Sequence, residues 1–550
     1  MDTAIKACVP GEVWRCDCES GAVGRHTCLD SGKFGRCQCP ATRPGGAKTE
    51  DGGSSVPSST STGQAGESST PASNNDKPGS DGDGTNAAPE PIDGGAADLA
   101  GASGSAGRAA PAGSSGIGGS GGAGGMAGAP MSMMGEAGQV APPDPAVDFI
   151  TEPTDEAAYL FDQSTVRTYN IVVAPADLAT IDLKPSAEQW VPARLEFEGA
   201  SYGPFQMRYK GSSGSFKAPC TTGGFGDPKS GKCSIKLGFD EVDPELRFYG
   251  LKKLNFHAMI QDTSLMRDRL GYSLFRDSKV VAPRAMHAKV LINGQLEGVF
   301  IAVEQIDGRF TRARFGEGGE GNVYKEAWVS MRTESEYVNS LESNSEAPVV
   351  TAMLDFQRAV QTSAEATEQY IDRAYMMRYV AVDRVIVNDD GMFHFYCDAN
   401  SPNYPGTSHN FYWYQAEEAA RFWLIPWDLD LAFDATPWIR VQPAWTAQAA
   451  CTCVRPAMYD PQTPPSCDPM VKHFLSWRAD YDREVTAFIN GPFADAKVQE
   501  KLAAWTAQIR PFVMETAGVK RAPSVSEWDS GVSQLKTKIT AARTNRGLAY

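Results

Sequence analysis

Apolar residues are unevenly distributed along the chain, and their pattern divides it into three parts. Residues 1–40 carry six cysteines and few apolar positions, and residues 41–146 consist largely of small and polar residues with Pro. Regular apolar patterns begin only near residue 147. A segment without apolar periodicity cannot bury enough surface to offset the entropy of ordering its backbone. We therefore predict a cysteine-rich module over 1–40, a disordered linker over 41–146 and a globular domain over 147–550.

The first part of the globular region has the short apolar runs of β-strands. A helix is predicted over 264–277, with Ser264 as its N-cap. A hairpin with an Asn293-Gly294 turn follows it. The predicted strands, including the two of the hairpin, cover 169–173, 193–197, 205–209, 234–239, 251–256, 288–292 and 298–303.

The second part is mainly helical. A long amphipathic stretch covers 368–387, and two strands follow at 410–414 and 421–425. Three further helices are predicted over 469–489, 494–516 and 526–546. The fold class is therefore predicted to be α+β, with a β-rich lobe, a mainly helical lobe and a cleft between them.

Net charge restricts the possible partners. The formal net charge of −16 argues against a nucleic-acid partner, which requires clustered positive charge. No stretch reaches the ~18 apolar residues that a membrane span needs, so no transmembrane segment is predicted. The first ten residues also lack the apolar core of a signal peptide.

The twelve cysteines indicate an oxidising compartment. Their even number and their Gly- and Pro-rich surroundings are typical of disulfides in exported proteins. In the N-terminal module zinc is the alternative, although zinc sites prefer C-x2-C spacing and histidine partners. We expect an extracellular or cell-surface protein whose signal peptide or lipoprotein anchor is missing from this N-terminus.

The cysteines of the globular part are expected to pair locally. Cys220 and Cys233 bracket a Gly-rich segment, and a disulfide between them would stabilise the fold by roughly 3 kcal/mol through loop entropy. Three others, Cys451, Cys453 and Cys467, leave one odd partner, for which Cys397 is the candidate.

An apolar strand leads directly into Asp428 and Asp430. Residues i and i+2 of an extended segment lie on the same side, so the two carboxylates would repel unless a cation lay between them. Oxygen ligands suit Mg²⁺ or Mn²⁺. Spacing alone leaves a second interpretation open, in which both are solvated loop acids or helix caps.

Further polar groups precede this motif. Asp389 and Asp390 end the long predicted helix, and Asn410 begins a strand. Phosphoryl transfer needs a carboxylate that orients the nucleophile, and Asn and Asp side chains that hold metal ions on the phosphates. Taken singly, these residues are also compatible with a helix-end turn and a strand cap.

A small-residue loop follows a strand of the first part. Its backbone N–H groups could bind phosphates, although the P-loop spacing is absent and hairpin turns look the same. Basic residues cluster around this loop in an otherwise acidic chain. The residues concerned are Arg208, Lys210, Gly211, Ser212, Ser213, Lys232 and Lys236.

Several sequence blocks, in the same order, resemble the CotH kinase family, and the resemblance covers roughly residues 150–550. The chain departs from the family pattern by inserts at 218–231 and 397–408, and by Asp389 where a Trp is common. The matching blocks are 208–213, 232–236, 251–254, 262–272, 282–283, 293–299, 304–307, 324–325, 390–391, 409–410 and 426–430.

The resemblance implies an atypical protein-kinase-like fold that binds ATP with Mg²⁺ or Mn²⁺ and phosphorylates protein Ser or Thr outside the cytosol. Its catalytic Asp matches Asp390, with Asp389 beside it. Its metal-binding Asp matches Asp428, and Asn410 fits the metal-holding Asn. Glu304 matches the segment that contacts adenine. The resemblance also makes Arg267, Asp268 and Lys232 candidate nucleotide-binding residues.

Other functions compete with the kinase. A surface adhesion or coat-structural protein could keep this fold without turnover, and a metal-dependent hydrolase is a third class. The kinase would act on a protein substrate, such as a surface or coat protein, and is expected to be a monomer.

Removal of residues 1–146 is expected to leave the melting temperature of the remaining chain nearly unchanged, because the linker lacks apolar residues that could pack. Thermal unfolding of the full chain and of residues 147–550 measures this. A large drop on truncation would contradict it.

Overall fold

In the computed structural model, two compact units divide the chain at residue 131. In the N-terminal unit an antiparallel hairpin joins β1 (Val13–Asp17) to β2 (Val23–Thr27). The predicted linker, 41–146, lies outside the described residues. These are 13–17, 23–27, 149–211, 231–330, 332–388, 390–397, 407–416, 420–434, 445–446, 451–453 and 461–547.

Seven strands of the second unit form a closed barrel in the order β3-β4-β5-β6-β7-β9-β8. All neighbours are antiparallel except β3 and β8, which are parallel and close the barrel. The strands are β3 (Arg167–Val173), β4 (Val191–Phe197), β5 (Ala200–Lys210), β6 (Ser234–Gly238), β7 (Lys253–His257), β8 (Ala285–Ile292) and β9 (Gln295–Glu304).

Buried and more exposed residues alternate along the barrel strands. Apolar residues of alternating positions, such as Leu195, Met207 and Ile235, are buried in a core of their own. The intervening residues point to the opposite face. On β5, β6 and β7 this second face carries Lys210, Lys236 and His257.

The remainder is mainly helical around a three-stranded antiparallel sheet, β10-β12-β13, with a second apolar core. The strands are β10 (Asn322–Lys325), β12 (Phe411–Gln415) and β13 (Phe422–Pro426), and a short ladder joins β11 (Phe395–Tyr396) to β14 (Gln462–Thr463). The helices are α1 (Pro175–Leu183), α2 (Arg267–Asp277), α3 (Gly308–Phe315), α4 (Glu334–Asn339), α5 (Thr351–Thr362), α6 (Ala364–Thr367), α7 (Arg373–Val385), α8 (Pro469–Ser476), α9 (Arg478–Asn490), α10 (Asp495–Thr516) and α11 (Val525–Asn545).

Mixed helix and sheet content agrees with the predicted α+β class, but three helix boundaries were wrong. Helix α2 begins after Met266 rather than after Ser264, because the Asp262 carboxylate accepts the N–H groups of Met266 and Arg267. The stretch predicted as one helix over 368–387 breaks before α7, where Asp372 is the N-cap. The stretch over 469–489 is two helices, α8 and α9, separated at Trp477.

Two disulfides confirm that the four C-terminal cysteines pair among themselves. Cys397 bonds to Cys453, and Cys451 bonds to Cys467. Cys233 is also disulfide-bonded. Cys220 lies outside the described residues, so its pairing with Cys233 stays a prediction. Within the described part of the chain, no helix is both long and apolar enough to cross a membrane.

Candidate functional site

Asp428 lies just beyond the end of β13, where the backbone leaves the sheet. Its φ of 48° is in the left-handed region, which turns the chain sharply after the buried Trp427. The Trp427 N–H donates to the Asn410 carbonyl at 3.0 Å, so the ends of β12 and β13 are tied together at this turn. Strand pairing therefore places Asn410 beside the segment that carries Asp428.

Helix α2 clamps this turn from the other side. The Asp428 N–H donates to the Tyr272 hydroxyl at 2.9 Å, and the Leu429 N–H donates to Asp268 Oδ1 at 2.9 Å. The Leu429 side chain packs so closely on Gly271 that a Cβ there would lie 2.7 Å from it. The 262–272 block thus has a physical explanation: it fixes a turn about 160 residues later in the chain.

Asp390 and Asn410 are in direct contact. Asn410 Nδ2 donates to the Asp390 carbonyl at 2.9 Å and to its Oδ2 at 3.0 Å, and the Tyr396 hydroxyl donates to Asp390 Oδ1. Both carboxylate oxygens of Asp390 therefore have a donor. Asn410 is in the left-handed region, with a φ of 61°, which Asn tolerates better than most residues.

The turn before Asp390 is fixed by a buried polar network. Asn388 Nδ2 donates to Asp383 Oδ1 at 2.8 Å, and Arg384 donates to the Asp383 carboxylate and to the Asn388 carbonyl. Gly391 lies against this network, where a Cβ would come within 2.3 Å of Asn388 Nδ2. Helix α7 thereby ends in a rigid turn that presents Asp390.

Lys210, His257 and Asp268 extend the group around Asp428. Lys210 Nζ lies 2.8 Å from His257 Nε2, and an ammonium can only donate, so Nε2 accepts. Burial and the charge of Lys210 lower the pKa of His257 to about 3, so the ring is neutral and Nδ1 carries its proton. Nδ1 lies 3.7 Å from Asp268 Oδ2 and 3.8 Å from Asp428 Oδ1.

The carboxylates of Asp268 and Asp428 are suited to bind a divalent cation. Ligand atoms of His257, Asp268 and Asp428 lie within 4.8 Å of one another. Asp268 Oδ2 is buried and has no hydrogen-bond partner among the described residues. An unpaired buried carboxylate oxygen facing a second carboxylate is costly unless a positive charge joins them. Since His257 presents N–H rather than a lone pair, Asp268 and Asp428 are the candidate ligands.

The pKa values of these acids are raised, as expected for carboxylates that are buried close together and need a positive charge nearby. Burial, followed by neighbouring carboxylates, raises the pKa of Asp430 well above its usual value. Burial also raises the pKa of Asp428 and of Asp390, although the charge of Lys210 and the hydrogen bond from Tyr396, respectively, partly offset this. Burial raises the pKa of Asp268 to about 7. Burial lowers the pKa of Lys210 to about 8, against the pull of Asp428.

A second pair borders Asp390. His409 Nδ1 lies 3.3 Å from Glu326 Oε2, and the hydrogen bond to Glu326 raises the pKa of His409. Glu326 follows Lys325 at the end of β10, and its Oε1 accepts the Asn410 N–H at 3.4 Å. Burial would raise the pKa of Glu326, but His409 and Lys325 lower it.

The other predicted basic residues lie on the barrel. Arg208 forms an ion pair with Glu188. Lys232 is buried and donates to the carbonyls of Ala258 and Val299, and burial lowers its pKa to about 7. Burial lowers the pKa of Lys236 to about 8, opposed by Glu342.

Arg267 stabilises the turn that contains Asp428 and Asp430. Its Nη1 donates to the Asp430 carbonyl and to Asp434 Oδ2, both at 3.0 Å, and its Nε lies 3.5 Å from Asp262 Oδ1. These contacts support the segment that carries Asp428. Whether Arg267 also contacts a nucleotide stays a prediction.

The Glu304 carboxylate is paired with three arginines. It is fully buried, and Arg284, Arg309 and Arg314 all donate to its oxygens, so a carboxylate contact with a nucleotide does not fit. Only the backbone of Glu304, where β9 ends, remains for the predicted contact.

Gly211 is exposed at the end of β5 with a φ of 138°. Asp389, Ser212 and Ser213 lie outside the described residues.

Sequence reasoning missed His257, Tyr272, Tyr396 and the Glu326–His409 pair. Tyr272 and His409 lie inside the blocks 262–272 and 409–410 that carry the resemblance, and Glu326 directly follows the block at 324–325. A polar residue directly after an apolar strand was the available signal. His257 carries the same signal at the end of β7.

Comparison with known proteins agrees with this arrangement of blocks. Residues 207–545 match the family described as CotH kinase protein. Inner spore coat protein H of Bacillus subtilis (strain 168) is 25% identical over 370 residues, which are 64% of this chain and 89% of that protein. A chain of a Shewanella oneidensis MR-1 toxin–antitoxin structure, with HipA, HipB and operator DNA, aligns at 13% identity over 68% of this chain and 79% of that chain. Its TM-score of 0.22 is too low to support a shared fold. Because the family match spans more than half of its residues, the chain belongs to the CotH kinase protein family.

Proposed function

We propose that this protein is a secreted or surface-displayed atypical kinase that transfers the γ-phosphoryl group of ATP to Ser or Thr of a protein, with Mg²⁺ or Mn²⁺. In this proposal the barrel and the helical part are the two lobes of a kinase-like fold. One observation carries it: Asp390, Asn410 and Asp428 come together from three separate chain segments, beside Lys210. Phosphoryl transfer requires this combination of a carboxylate, metal-holding oxygens and a cation.

The roles follow from position. Asp428 and Asp268 would hold the metal ion, with Asn410 contributing its side-chain oxygen, since its nitrogen already donates to Asp390. The metal ion neutralises phosphate charge and orients the transferred group. Lys210 lies on the same face as Lys236 and supplies positive charge for the phosphates.

Asp390 would orient the attacking hydroxyl. Its carboxylate is half-buried at the rim of the site and is kept in place by Tyr396 and Asn410. The Asp430 carbonyl accepts from Arg267, which would support the turn, and the buried Asp430 carboxylate would add negative charge beside Asp428.

Replacement of Asp390 by Asn should lower the transfer rate by about 10²-fold, the lower range for loss of a general base, because the phosphoryl transition state is loose. Nucleotide affinity should change little, because Asp390 would contact the hydroxyl and not ATP. Single-turnover transfer and calorimetric ATP titration separate the two quantities. An equal loss of affinity and rate would instead assign Asp390 to metal binding.

The proposal itself is tested by incubating the purified full chain with γ-labelled ATP, Mg²⁺ or Mn²⁺, and peptide libraries that contain a single Ser, Thr or Tyr. Metal-dependent labelling of Ser or Thr peptides, or of the chain itself, is expected. Chelation with EDTA should abolish it. Absence of label with either metal would reject the kinase.

A non-catalytic coat or adhesion protein is the second candidate. The observation that favours it is the likeness to a protein named as an inner spore coat protein. Such a protein has no need for a metal-binding acidic turn, so wild type and the Asp428→Ala variant would bind ATP equally, or not at all.

A further inference from the structure

The contact between Tyr396 and Asp390 joins the proposed catalytic carboxylate to a disulfide-linked part of the chain. Asp390 follows a turn at the rim of the site and has no helix or strand of its own to fix its side chain. The Tyr396 hydroxyl donates to Oδ1 while Asn410 donates to Oδ2. Two donors on opposite oxygens define the plane of the carboxylate, and with it the direction in which a hydroxyl can approach.

Two histidine rings contact the phenol ring of Tyr396. The His394 ring stacks on it with centroids 4.3 Å apart and planes inclined by 18°, and the His409 ring lies 5.0 Å away. The ring therefore has little freedom to turn its hydroxyl away from Asp390 as long as its backbone stays in place.

The backbone of Tyr396 lies in a short strand. β11 has two residues, and Tyr396 exchanges two backbone hydrogen bonds with Thr407 and is paired with Gln462 of β14. Cys397, the next residue, donates its N–H to the Pro461 carbonyl at 2.8 Å. A ladder of this length is marginal without further support.

Covalent bonds supply that support. Cys397, adjacent to Tyr396, is bonded to Cys453, 56 residues along the chain. Cys451 is bonded to Cys467, 16 positions further along the chain, and the segment between them contains β14, the partner of β11. The two bonds together join both strands of the ladder into one cross-linked unit that carries Tyr396.

We propose that Tyr396 is a positioning residue for Asp390 and that the Cys397–Cys453 disulfide keeps it there, so that full transfer activity requires the oxidised chain. This inference rests on the proposed function. A dithiol reductant would transfer two electrons and two protons to the disulfide, giving two cysteine thiols and the oxidised reductant. The freed β11 would release Tyr396, and Asp390 would keep Asn410 as its donor.

The test compares three forms of the full chain in steady-state transfer from ATP: wild type, Tyr396→Phe and the double variant Cys397→Ser/Cys453→Ser. Loss of a hydrogen bond to a charged group should lower kcat of Tyr396→Phe by about tenfold. KM for ATP should stay unchanged, because Tyr396 contacts Asp390 and not the nucleotide. The double variant should show a similar loss of kcat, provided that its circular dichroism matches that of wild type.

Non-additivity separates positioning from general damage. Cys397→Ser/Cys453→Ser combined with Tyr396→Phe should lose no more than either alone, because both remove the same contact. Tyr159→Phe is the matched control, since it removes a hydroxyl–carboxylate bond to Glu198 on the barrel and should leave kcat unchanged.

The outcomes are distinct. If wild type is active and Tyr396→Phe keeps kcat within twofold, the positioning role is rejected while the kinase stands. If the losses add, the disulfide acts elsewhere and its part of the inference is rejected. If wild type transfers no phosphoryl group, the proposed function fails and the inference with it.

Discussion

Replacement of Asp428 by Ala is expected to abolish metal-dependent nucleotide binding and to lower phosphoryl transfer by about 10³-fold or more. Asp428 faces Asp268 Oδ2, which lacks a hydrogen-bond partner within the described residues, so this pair is the candidate anchor of the cation. Without the metal ion, much of the phosphate charge would stay uncompensated beside the carboxylates of Asp430 and Asp390, in a buried site of low dielectric. Like-charge repulsion would then expel the nucleotide.

Calorimetric titration of ATP with Mg²⁺ or Mn²⁺ measures this directly. The matched control is Asp482→Asn, because Asp482 is an exposed acid that pairs with Arg478 on α9. Its affinity and rate should equal those of wild type. Asp428→Ala should also retain the fold, since the Asp428 contact with Tyr272 uses the backbone N–H. Equal nucleotide affinity for wild type and Asp428→Ala would reject the catalytic interpretation.

Replacement of Glu304 by Ala is expected to lower the free energy of unfolding by about 3–5 kcal/mol, the range for breaking a buried ion pair. Burial alone would raise the pKa of Glu304, but Arg314, Arg284 and Arg309 together hold it well below its usual value. Without its carboxylate, Arg314 is left fully buried, and Asp155 remains as a partner only for Arg284 and Arg309. Uncompensated positive charge in the interior is the source of the loss.

Urea denaturation of the full chain, followed by tryptophan fluorescence, measures this change. Glu320→Ala is the control, because Glu320 pairs with Arg312 at the surface and an exposed pair contributes about 0–1 kcal/mol. A loss for Glu304→Ala no larger than that of the control would show that the arginine cluster is stable without its carboxylate.

Much of the fold and several residues of the candidate site could be predicted from local sequence patterns. Strand alternation is a property of neighbouring residues, so the barrel strands near 169–173, 193–197, 205–209 and 234–238 could be predicted from sequence. The family resemblance rests on motifs in their order along the chain, and the match over 207–545 confirms it. The same order indicated Asp390, Asn410 and Asp428, and the structure brings these residues together. The number of cysteines also indicated that Cys397 pairs within the group of Cys451, Cys453 and Cys467, whereas the connectivity, Cys397 with Cys453 and Cys451 with Cys467, came from the structure.

Contacts between distant segments were decided only by tertiary structure. The barrel closes by parallel pairing of β3 with β8, more than a hundred residues apart, and no local pattern encodes that pairing. His257 joins the site because β7 ends opposite Asp428, and the Glu304 carboxylate is paired because three arginines from other segments surround it. Sequence determined which residues could do chemistry, since side-chain type and periodicity are local. Only folding decided which of them meet, because burial and charge depend on neighbours that the chain brings from far away.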